Sequence, residues 1–234
     1  MSPLVSIVVP TLNQGRYIEQ TLASLAGQNW PNLELIVIDG GSTDETASVV
    51  ESYRHVVTHF VSEKDRGQAD AINKGFRLAK GEILGWLNSD DYLLPCALAR
   101  TVRALGGPST EPRLAYGGCL AVWEGTRKAE AWPAFPFDRE ALKTMSLVSQ
   151  PGSLWTRALW EKTGELDPDY HFVLDWDWYL RASGHGAFTA LPDLLAVYRF
   201  HPAHKSSRGE RRRTEEILAL VEQHAGPEWG AAFR

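Results

Sequence analysis

Short apolar runs alternate with amphipathic segments through the first half of the chain. The apolar runs are rich in valine, isoleucine and leucine and have the length of buried strands, whereas the amphipathic segments repeat their apolar residues at helical spacing. The strands that this pattern predicts occupy residues 4–9, 33–38, 56–61 and 83–87. Strand–helix alternation produces parallel strands joined by right-handed crossovers. The predicted fold class is therefore α/β, with three α/β/α layers around a mostly parallel central sheet.

The amphipathic segments carry helix start and stop signals. Helices are predicted over residues 15–28 and 68–80, the second closed by Gly81. Ser42-Thr43-Asp44-Glu45 has the spacing of a capping box, so Ser42 is expected to cap a helix that runs to about residue 54. These helices supply the crossovers between the predicted strands.

The second half of the chain departs from this alternation. Residues 106–112 form a break rich in glycine, proline and serine, and strands that extend the sheet are predicted over 114–123 and 194–200. An amphipathic helix is predicted over 214–223. Because the chain has no internal repeat and a length suited to one large domain, a single domain over residues 1–234 is expected.

Composition narrows the class of protein. The chain has 234 residues, of which 44% are hydrophobic, and a formal charge of −5, which argues against a general nucleic-acid binder. No apolar run approaches the length of a membrane span. Met1 is followed almost directly by a predicted strand without a basic region, so no signal peptide is expected. With Cys96 and Cys119 interpreted as buried free thiols, these features predict a soluble cytoplasmic protein.

Polar residues follow each of the four predicted strands. They are Thr11 and Asn13, Asp39, Asp65 and Arg66, and Asp90 and Asp91. Because the carboxyl ends of parallel strands meet at one edge of an open sheet, where ligands bind, these side chains are expected to line one crevice. Asp90 and Asp91 are adjacent and should point to opposite sides, one holding a divalent cation and the other accepting a hydrogen bond from the ligand. An ordinary turn at these two residues is the competing interpretation.

Four segments follow one another in order along the first half of the chain. They read VSIVVPTLN at 5–13, DGGSTD at 39–44, EKDRGQADAINKG at 63–75 and GWLNSDD at 85–91. Together they resemble the successive motifs of glycosyltransferase family 2, and four motifs in register are far more specific than one. The resemblance extends over roughly residues 4–200.

This resemblance implies the GT-A fold and an inverting transfer of sugar from a nucleotide sugar. The likeness is greatest to the bacterial branch that builds surface polysaccharides. It also implies that three successive parts of the chain have different roles. Residues 1–105 would bind the nucleotide sugar, residues 106–200 would hold the acceptor and the catalytic base, and residues 201–234 would form a basic segment and a C-terminal helix.

The resemblance assigns roles to most of the polar residues of the crevice. Asp39 stands where the family binds the uracil of a nucleotide sugar, and Asp90 where it contacts the donor sugar or ribose. Asp91 and the late His201 stand where Mn²⁺ or Mg²⁺ is held against the diphosphate, although His201 fits equally well as a polar residue at a strand end. The other implied contacts to the nucleotide sugar are Pro10, Thr11, Asn13, Arg66, Asp70 and Asn88.

A predicted helix over 172–181 carries two acids, Asp175 and Asp177. Residues two apart on a helix face different directions, so both cannot point into one site. Asp177 has Arg181 four residues later, in the favourable order for an ion pair, and is expected to be structural. By resemblance Asp175 is the catalytic base, with a helix cap as the alternative. The residues expected on the acceptor side are Gln150 and Trp176.

Two other functions fit parts of this pattern. A sugar nucleotidyltransferase would need a glycine-rich basic loop after the first strand, but residues 10–15 contain one glycine and no lysine. A non-catalytic nucleotide-sugar-binding protein would keep the crevice without needing Asp175. The basic cluster of residues 205–213 could attract anionic lipids at the inner face of a membrane or be a solvated loop. The expected partners are a nucleotide-sugar donor, with a UDP-sugar favoured, and a saccharide or lipid-linked acceptor.

Overall fold

The structure is a computed structural model that describes residues 2–107, 109–207 and 210–233. Nine strands within these residues form one sheet. The strands are β1 (Val5–Thr11), β2 (Leu33–Asp39), β3 (Val57–Ser62), β4 (Ile83–Trp86), β5 (Tyr92–Leu93), β6 (Arg113–Trp123), β7 (Ala129–Trp132), β8 (Ser153–Thr156) and β9 (Ala187–Phe200). Their order across the sheet is β3-β2-β1-β4-β8-β6-β9-β5, and β7 pairs with β6.

The first half of the chain forms a parallel array. β1 pairs in parallel with β2 and β4, and β2 pairs in parallel with β3. Thr11 at the end of β1 lies opposite Asp39 at the end of β2, so the carboxyl ends of these strands share one edge. The long pair of β6 and β9 is also parallel, whereas the antiparallel pairs made by β5, β7 and β8 are short. The predicted mostly parallel α/β sheet is confirmed.

Helices in the described residues cover both faces of the sheet. They are α1 (Gly15–Ala26), α2 (Thr46–Ser52), α3 (Gln68–Leu78), α4 (Ala97–Ala104), α5 (Arg139–Leu142), α6 (Arg157–Thr163), α7 (Leu174–Ala182), α8 (Glu210–Ala225) and α9 (Pro227–Phe233). The side chains of β1 alternate, so that Ile7 and Val9 join a core with α1, α2 and α4, whereas Val8 joins a core with α3, α6, α7 and α8. The sheet is therefore buried between two helical layers, as predicted.

The start of α2 differs from the capping-box prediction. Ser42 lies outside the helix, and its hydroxyl donates to the carboxylate of Asp39 at the end of β2. The N-cap residue of α2 is Glu45, whose side chain makes no cap hydrogen bond. The carboxylate of the preceding residue, Asp44, accepts from the backbone N–H of Thr46 in α2 at 3.0 Å and from that of Gly15 in α1 at 3.0 Å. A buried carboxylate at a strand end thus competes successfully with the helix for the serine hydroxyl.

The cysteines and the end of α3 also differ from expectation. Cys119 is a buried free thiol as predicted, but Cys96 is exposed. The helix α3 ends at Leu78 because Ala79 has an extended backbone, so Gly81 does not close it.

The C-terminal part of the chain packs back onto the body of the protein. Leu220 and Val221 of α8 are fully buried in the same core as α3 and α7. The helix begins at Glu210 and is longer than the predicted 214–223. Among the described residues, no helix is long and apolar enough to cross a membrane.

Candidate active site

A cavity of about 360 Å³ opens at the carboxyl ends of β1 and β4. This volume is within the range of small-molecule sites. The residues on its wall that the sequence assigned to the site are Pro10, Thr11, Asn88, Asp90, Gln150 and Asp175. Asp65, which was expected to line the crevice, is also on the wall. The other polar residues on the wall, to which the sequence gave no role in this crevice, include Gln68, His171, His204 and Lys205. Acids from the two halves of the chain therefore face the same space.

Asp90 reaches the cavity from the loop after β4 and is paired with His201 from the end of β9. The distance between His201 Nε2 and Asp90 Oδ2 is 3.1 Å. The histidine side chain is fully buried, and its ring packs against that of Tyr17 at 4.0 Å. Its Nδ1 atom has no hydrogen-bond partner among the described residues. The predicted late histidine is thus beside the acidic motif, although 111 residues separate the pair in sequence.

Asp91 points away from the cavity, into the protein. It is 1% exposed; its Oδ1 accepts from the backbone N–H of Arg199 at 3.0 Å, and its Oδ2 faces the side-chain amide of Asn88 at 3.4 Å. Burial, together with the nearby charge of Asp90, raises the pKa of Asp91 well above its ordinary value. The two acids point in opposite directions as predicted, but Asp90 is the one on the cavity side, so the metal-binding role expected of Asp91 stays a prediction that its buried position does not support. Asp90 lies on the wall, and Asp91 joins β9 to the loop after β4.

The side chains of Asp90 and His201 are of the kinds that bind a divalent cation whose other ligands come from a substrate. In the described part of the chain, no group of three or more His, Cys, Asp or Glu side chains could hold a metal ion. However, Mg²⁺ at phosphate sites is usually bound by one or two carboxylates together with phosphate oxygens and water, and imidazole suits Mn²⁺. Asp90 on the cavity wall and His201 Nε2 beside it, at 3.1 Å, offer one carboxylate and one imidazole for such an ion, although His201 itself lies behind the wall.

Asp39 lies behind the cavity wall. It is fully buried, and its carboxylate accepts from the backbone N–H of Ser42 at 3.1 Å and from the hydroxyl of Ser62 at 2.6 Å. Asn13 is exposed and accepts from the backbone N–H of Thr43 at 2.9 Å. These contacts tie the loops after β1, β2 and β3 together, so in this conformation Asp39 contacts its own loops and not the cavity. Its expected contact with a nucleobase stays a prediction.

Arg66 and Asp70 contact each other and do not lie on the cavity wall. The carboxylate of Asp70 accepts from the backbone N–H of Arg66 at 3.1 Å and from its guanidinium at 3.2 Å. Burial opposes ionisation of Asp70, but these bonds outweigh it and lower its pKa. The pair stabilises the start of α3. The side chain of Arg66 is largely exposed to solvent.

Asp175 and Asp177 separate as their helical spacing predicts. Asp177 is buried and accepts from Arg181 Nε at 2.9 Å, which confirms the expected ion pair. Asp175 lies on the cavity wall in the first turn of α7, and burial raises its pKa. Its Oδ1 accepts from the backbone N–H of Trp176 at 2.8 Å, so the second oxygen is the one that can serve a ligand.

The two residues expected on the acceptor side have different positions. Gln150 lies on the cavity wall, where its amide donates to the carbonyl of Trp86 at 2.8 Å. Trp176 is 6% exposed and does not lie on that wall, since its indole N–H donates to the carbonyl of Leu142 at 2.6 Å. The assignment of Trp176 to the acceptor side is therefore not supported by its position, which is that of a core residue.

A chain of hydrogen bonds crosses the cavity wall. Lys205 Nζ donates to Gln68 Oε1 at 2.7 Å, and Gln68 Nε2 donates to Asn88 Oδ1 at 2.7 Å. Asn88 Nδ2 then donates to Gln150 Oε1 at 3.3 Å. The four side chains come from the segment after β9, from α3, from the loop after β4 and from the turn before β8. The sequence placed Gln68 in a motif and Lys205 in a basic cluster but did not bring them together, because their contact spans 137 residues.

The predicted basic cluster of residues 205–213 does not form one surface. Lys205 faces the cavity, Arg211 is almost fully exposed, and Arg212 is paired with Glu216. Arg208, which the sequence placed in the same cluster, lies outside the described residues. Contact with anionic lipids stays a prediction that concerns only the exposed members.

Glu216 of α8 holds the loop that leads into α7. Its carboxylate accepts from the backbone N–H groups of His171 at 3.0 Å and Phe172 at 2.6 Å, and from Arg212 Nε at 2.8 Å. Burial opposes ionisation of Glu216, but these donors outweigh it and lower its pKa. The C-terminal helix thereby helps to position Asp175, although it contributes no carboxylate to the cavity wall.

Replacing Glu216 by alanine should lower the free energy of unfolding by about 1.5–3 kcal/mol, the range for hydrogen bonds to a charged group. Because the pKa of Glu216 is lowered in the folded protein, its stabilisation is complete above the ordinary glutamate value of about 4.3 and is lost as the pH falls through the folded value. Urea unfolding at neutral and acidic pH measures both effects. Glu215→Ala is the matched control, since Glu215 pairs with Arg211 at the surface. Equal losses in the two variants would contradict the role given to Glu216.

An acidic motif at the carboxyl ends of parallel strands, with a second acid on a helix at the same cavity, is the arrangement that the GT-A type of glycosyltransferase was expected to show. The chain belongs to glycosyl transferase family 2, whose model matches residues 6–142. A PGL/p-HBAD biosynthesis glycosyltransferase of Mycobacterium bovis (strain BCG / Pasteur 1173P2) is 29% identical over 191 residues, which cover 80% of this chain and 72% of the relative. The resemblance stated from the motifs is therefore confirmed at the level of the family.

Solved structures of other glycosyltransferases share the fold. A mannosyltransferase from Pyrobaculum calidifontis in complex with GDP-Man and Mn²⁺ matches with a TM-score of 0.73 and 22% identity, over 100% of this chain and 70% of that one. S. aureus TarS 1-349 in complex with UDP-GlcNAc matches with a TM-score of 0.69 and 20% identity, over 94% of this chain and 66% of that one. This chain spans only 39% of a longer TarS structure. At these identities the likeness shows the fold.

Proposed function

We propose that this protein is an inverting glycosyltransferase that moves a sugar from a nucleoside diphosphate sugar to a hydroxyl group of a saccharide or lipid-linked acceptor in polysaccharide biosynthesis. The observation that carries the proposal is that Asp90 and Asp175 line the same cavity. The first is part of the family's acidic motif, and the second is a carboxylate that can act as a base. A UDP-sugar is the favoured donor, because the structural relative TarS is known in complex with UDP-GlcNAc.

In this mechanism Asp175 acts on the acceptor. Its carboxylate accepts the proton of the acceptor hydroxyl as that oxygen attacks the anomeric carbon of the donor sugar. The bond between the anomeric carbon and the diphosphate oxygen breaks, and the nucleoside diphosphate leaves with the bonding electrons. Attack from the face opposite the leaving group inverts the anomeric configuration. Burial raises the pKa of Asp175 and so makes it a stronger base than an exposed aspartate.

The residues that would hold a divalent cation, Mn²⁺ or Mg²⁺, are Asp90 and His201. When bound, such an ion supplies a Lewis acid that stabilises the negative charge of the leaving diphosphate. The manganese in the related mannosyltransferase supports this choice of ion. Asp91 then serves the site indirectly, since its bonds to Arg199 and Asn88 connect the strand end that carries His201 to the acidic loop.

A sugar nucleotidyltransferase is disfavoured by the start of α1. The backbone N–H groups of Gln14 and Gly15, which could cradle a triphosphate, donate to Thr46 Oγ1 and to the carboxylate of Asp44, both at 3.0 Å. A carboxylate at this helix start repels an incoming phosphate. A protein that only binds nucleotide sugars remains the competing function, and catalysis distinguishes it.

The proposed function is tested with a panel of UDP-, GDP- and dTDP-sugars. We expect one donor to raise the melting temperature in the presence of Mn²⁺ or Mg²⁺, since a ligand at 100 times its Kd adds about 2.7 kcal/mol to stability. The same donor should release its nucleoside diphosphate when saccharide acceptors are supplied, and chelation of the metal should stop this release. Failure of every nucleotide sugar to bind would overturn the proposal, whereas binding without any release across acceptors would favour the non-catalytic alternative.

A further inference from the structure

Lys205 is a partly buried cation on the wall of the cavity that Asp90 and Asp175 also line. It begins a short 3-10 turn, Lys205–Ser207, in the segment between β9 and α8. Its ammonium donates to Gln68 Oε1 at 2.7 Å and lies 5.8 Å from the centre of the Phe172 ring. The bond to Gln68 uses one of three ammonium protons, and Gln68 is itself held by Asn88 at 2.7 Å. The ammonium is therefore aimed by a side chain that is anchored to the acidic loop after β4.

The wall of the cavity is mainly negative, so an anionic ligand would require a cation there to reduce the repulsion. Three acids on the wall, Asp65, Asp90 and Asp175, give it a negative character. A nucleoside diphosphate sugar adds further negative charge, and repulsion between like charges is strong where water is excluded. Among the described residues on the wall, Lys205 is the only lysine or arginine.

Burial of Lys205 has a cost that a ligand could offset. Burial lowers the pKa of Lys205 to about 8, although the carboxylates of Asp175 and Glu216 oppose this effect. An ammonium group that has left water is stabilised when an anion pairs with it. A diphosphate in the cavity would be such an anion, and its negative charge would raise the pKa of Lys205.

We propose that Lys205 binds the diphosphate of the nucleotide-sugar donor and stabilises the nucleoside diphosphate as it leaves. This inference rests on the proposed function, because it takes a nucleotide sugar as the donor. As the bond between the anomeric carbon and the diphosphate oxygen breaks, negative charge grows on the β-phosphate, and the ammonium of Lys205 donates a hydrogen bond to it without transferring its proton. Lys205 thus belongs to the donor site and not to a basic surface for lipids.

The experiment compares the affinity of the protein for UDP and for uridine, which lacks the phosphates. In Lys205→Met we expect the Kd of UDP to rise about 10- to 100-fold, the loss of one or two charge-assisted hydrogen bonds, and the Kd of uridine to stay unchanged. Lys162→Met, which removes an exposed lysine at the end of α6, is the matched control and should bind both ligands as the wild type does. Calorimetry or NMR titration gives the constants, with GDP and guanosine used if the wild type binds only the guanine nucleotide.

The pH dependence supplies a second readout through Lys205→Arg. The affinity of the wild type for UDP should fall as the pH rises through the pKa of Lys205, about 8 in the free protein, because the ammonium loses its charge. Arginine keeps its charge there, so the variant should keep its affinity. The charged and titratable groups that face Lys205 are Asp175 on α7, Glu216 and Arg212 on α8, Asp90 after β4, and His171 before α7. They are identical in the two proteins, so a difference between the profiles belongs to Lys205.

The possible outcomes separate this inference from the proposed function. If the wild type binds UDP and Lys205→Met binds it equally well, the inference is wrong and the proposed function stands. If UDP and uridine lose affinity by the same factor, Lys205 has only a structural role, which also overturns the inference. If the wild type binds neither UDP nor GDP, the proposed function fails and the inference fails with it.

Discussion

Replacing Asp175 by asparagine should lower kcat for sugar transfer by about 10²–10⁴-fold, the usual contribution of a general base. Asparagine has nearly the same shape but cannot take a proton from the acceptor hydroxyl. The side chain of Asp175 makes one described hydrogen bond, to the neighbouring backbone N–H of Trp176, and its charge raises the pKa of Lys205. At a pH well below 8, Lys205 keeps its proton with or without that charge. The Kd of the nucleotide donor should therefore stay close to that of the wild type. Steady-state kinetics and calorimetry measure the two quantities.

Asp169→Asn is the matched control, since Asp169 is an exposed acid in the loop before α7. It should keep full activity. Full transfer by Asp175→Asn would remove the proposed mechanism, while loss of donor binding in that variant would place Asp175 in the donor site. Wild-type activity should fall on the acidic side at a pH above the ordinary aspartate value of about 3.9, because burial raises the pKa of Asp175 and the protonated group is no longer a base.

Replacing Trp155 by alanine should cost about 3–5 kcal/mol of the free energy of unfolding, the range for large aromatic side chains in a core. Trp155 on β8 is fully buried at the centre of an aromatic cluster. Its ring centre lies 4.7 Å from that of Trp178, 5.4 Å from that of Trp86 and 5.8 Å from that of Phe76. These rings belong to α7, β4 and α3, so the cavity left by alanine would loosen the elements that carry Asp175 and Asp90. Urea unfolding followed by circular dichroism measures the loss.

Two variants control for the effect of removing a tryptophan. Trp229→Ala removes a tryptophan of α9 that is 48% exposed, and its cost should be within about 0.5 kcal/mol. Trp155→Phe should cost much less than Trp155→Ala, because the indole N–H has no hydrogen-bond partner among the described residues and phenylalanine fills most of the space. A loss below about 1 kcal/mol for Trp155→Ala would show that the cluster collapses around the missing ring.

The positions of the main elements follow from local patterns in the sequence. The runs at β1, β2, β3 and β4 were predicted within about two residues. β1, β2 and β4 are buried on both faces and read as nearly continuous hydrophobic runs, whereas β3 at the edge of the sheet is only partly buried. The convergence of their carboxyl ends follows from parallel topology alone. The ion pair of Asp177 and Arg181 follows from helical spacing, and it left Asp175 as the acid on the cavity side.

The differences between the expected and the observed positions of side chains have a common cause. Asp91 was expected at a metal ion, but the backbone N–H of Arg199, 108 residues later, holds its carboxylate inside the protein. Ser42 was expected to cap a helix, but its hydroxyl donates a hydrogen bond to Asp39. Trp176 was expected at the acceptor, but its indole reaches the carbonyl of Leu142. In each case a partner that local spacing does not reveal decides where the side chain points.

The sequence by itself determined the order of the first four strands and of the helices between them, the edge of the sheet at which polar residues gather, and the family to which the chain belongs. These properties depend on hydrophobic periodicity and motif spacing, which can be seen within short segments of the sequence. Only the tertiary structure decided that Asp90 and not Asp91 faces the cavity, and that Lys205 lies beside Gln68, 137 residues earlier. Such pairs depend on how distant segments pack against each other, and the free energy of that packing is a property of the whole fold.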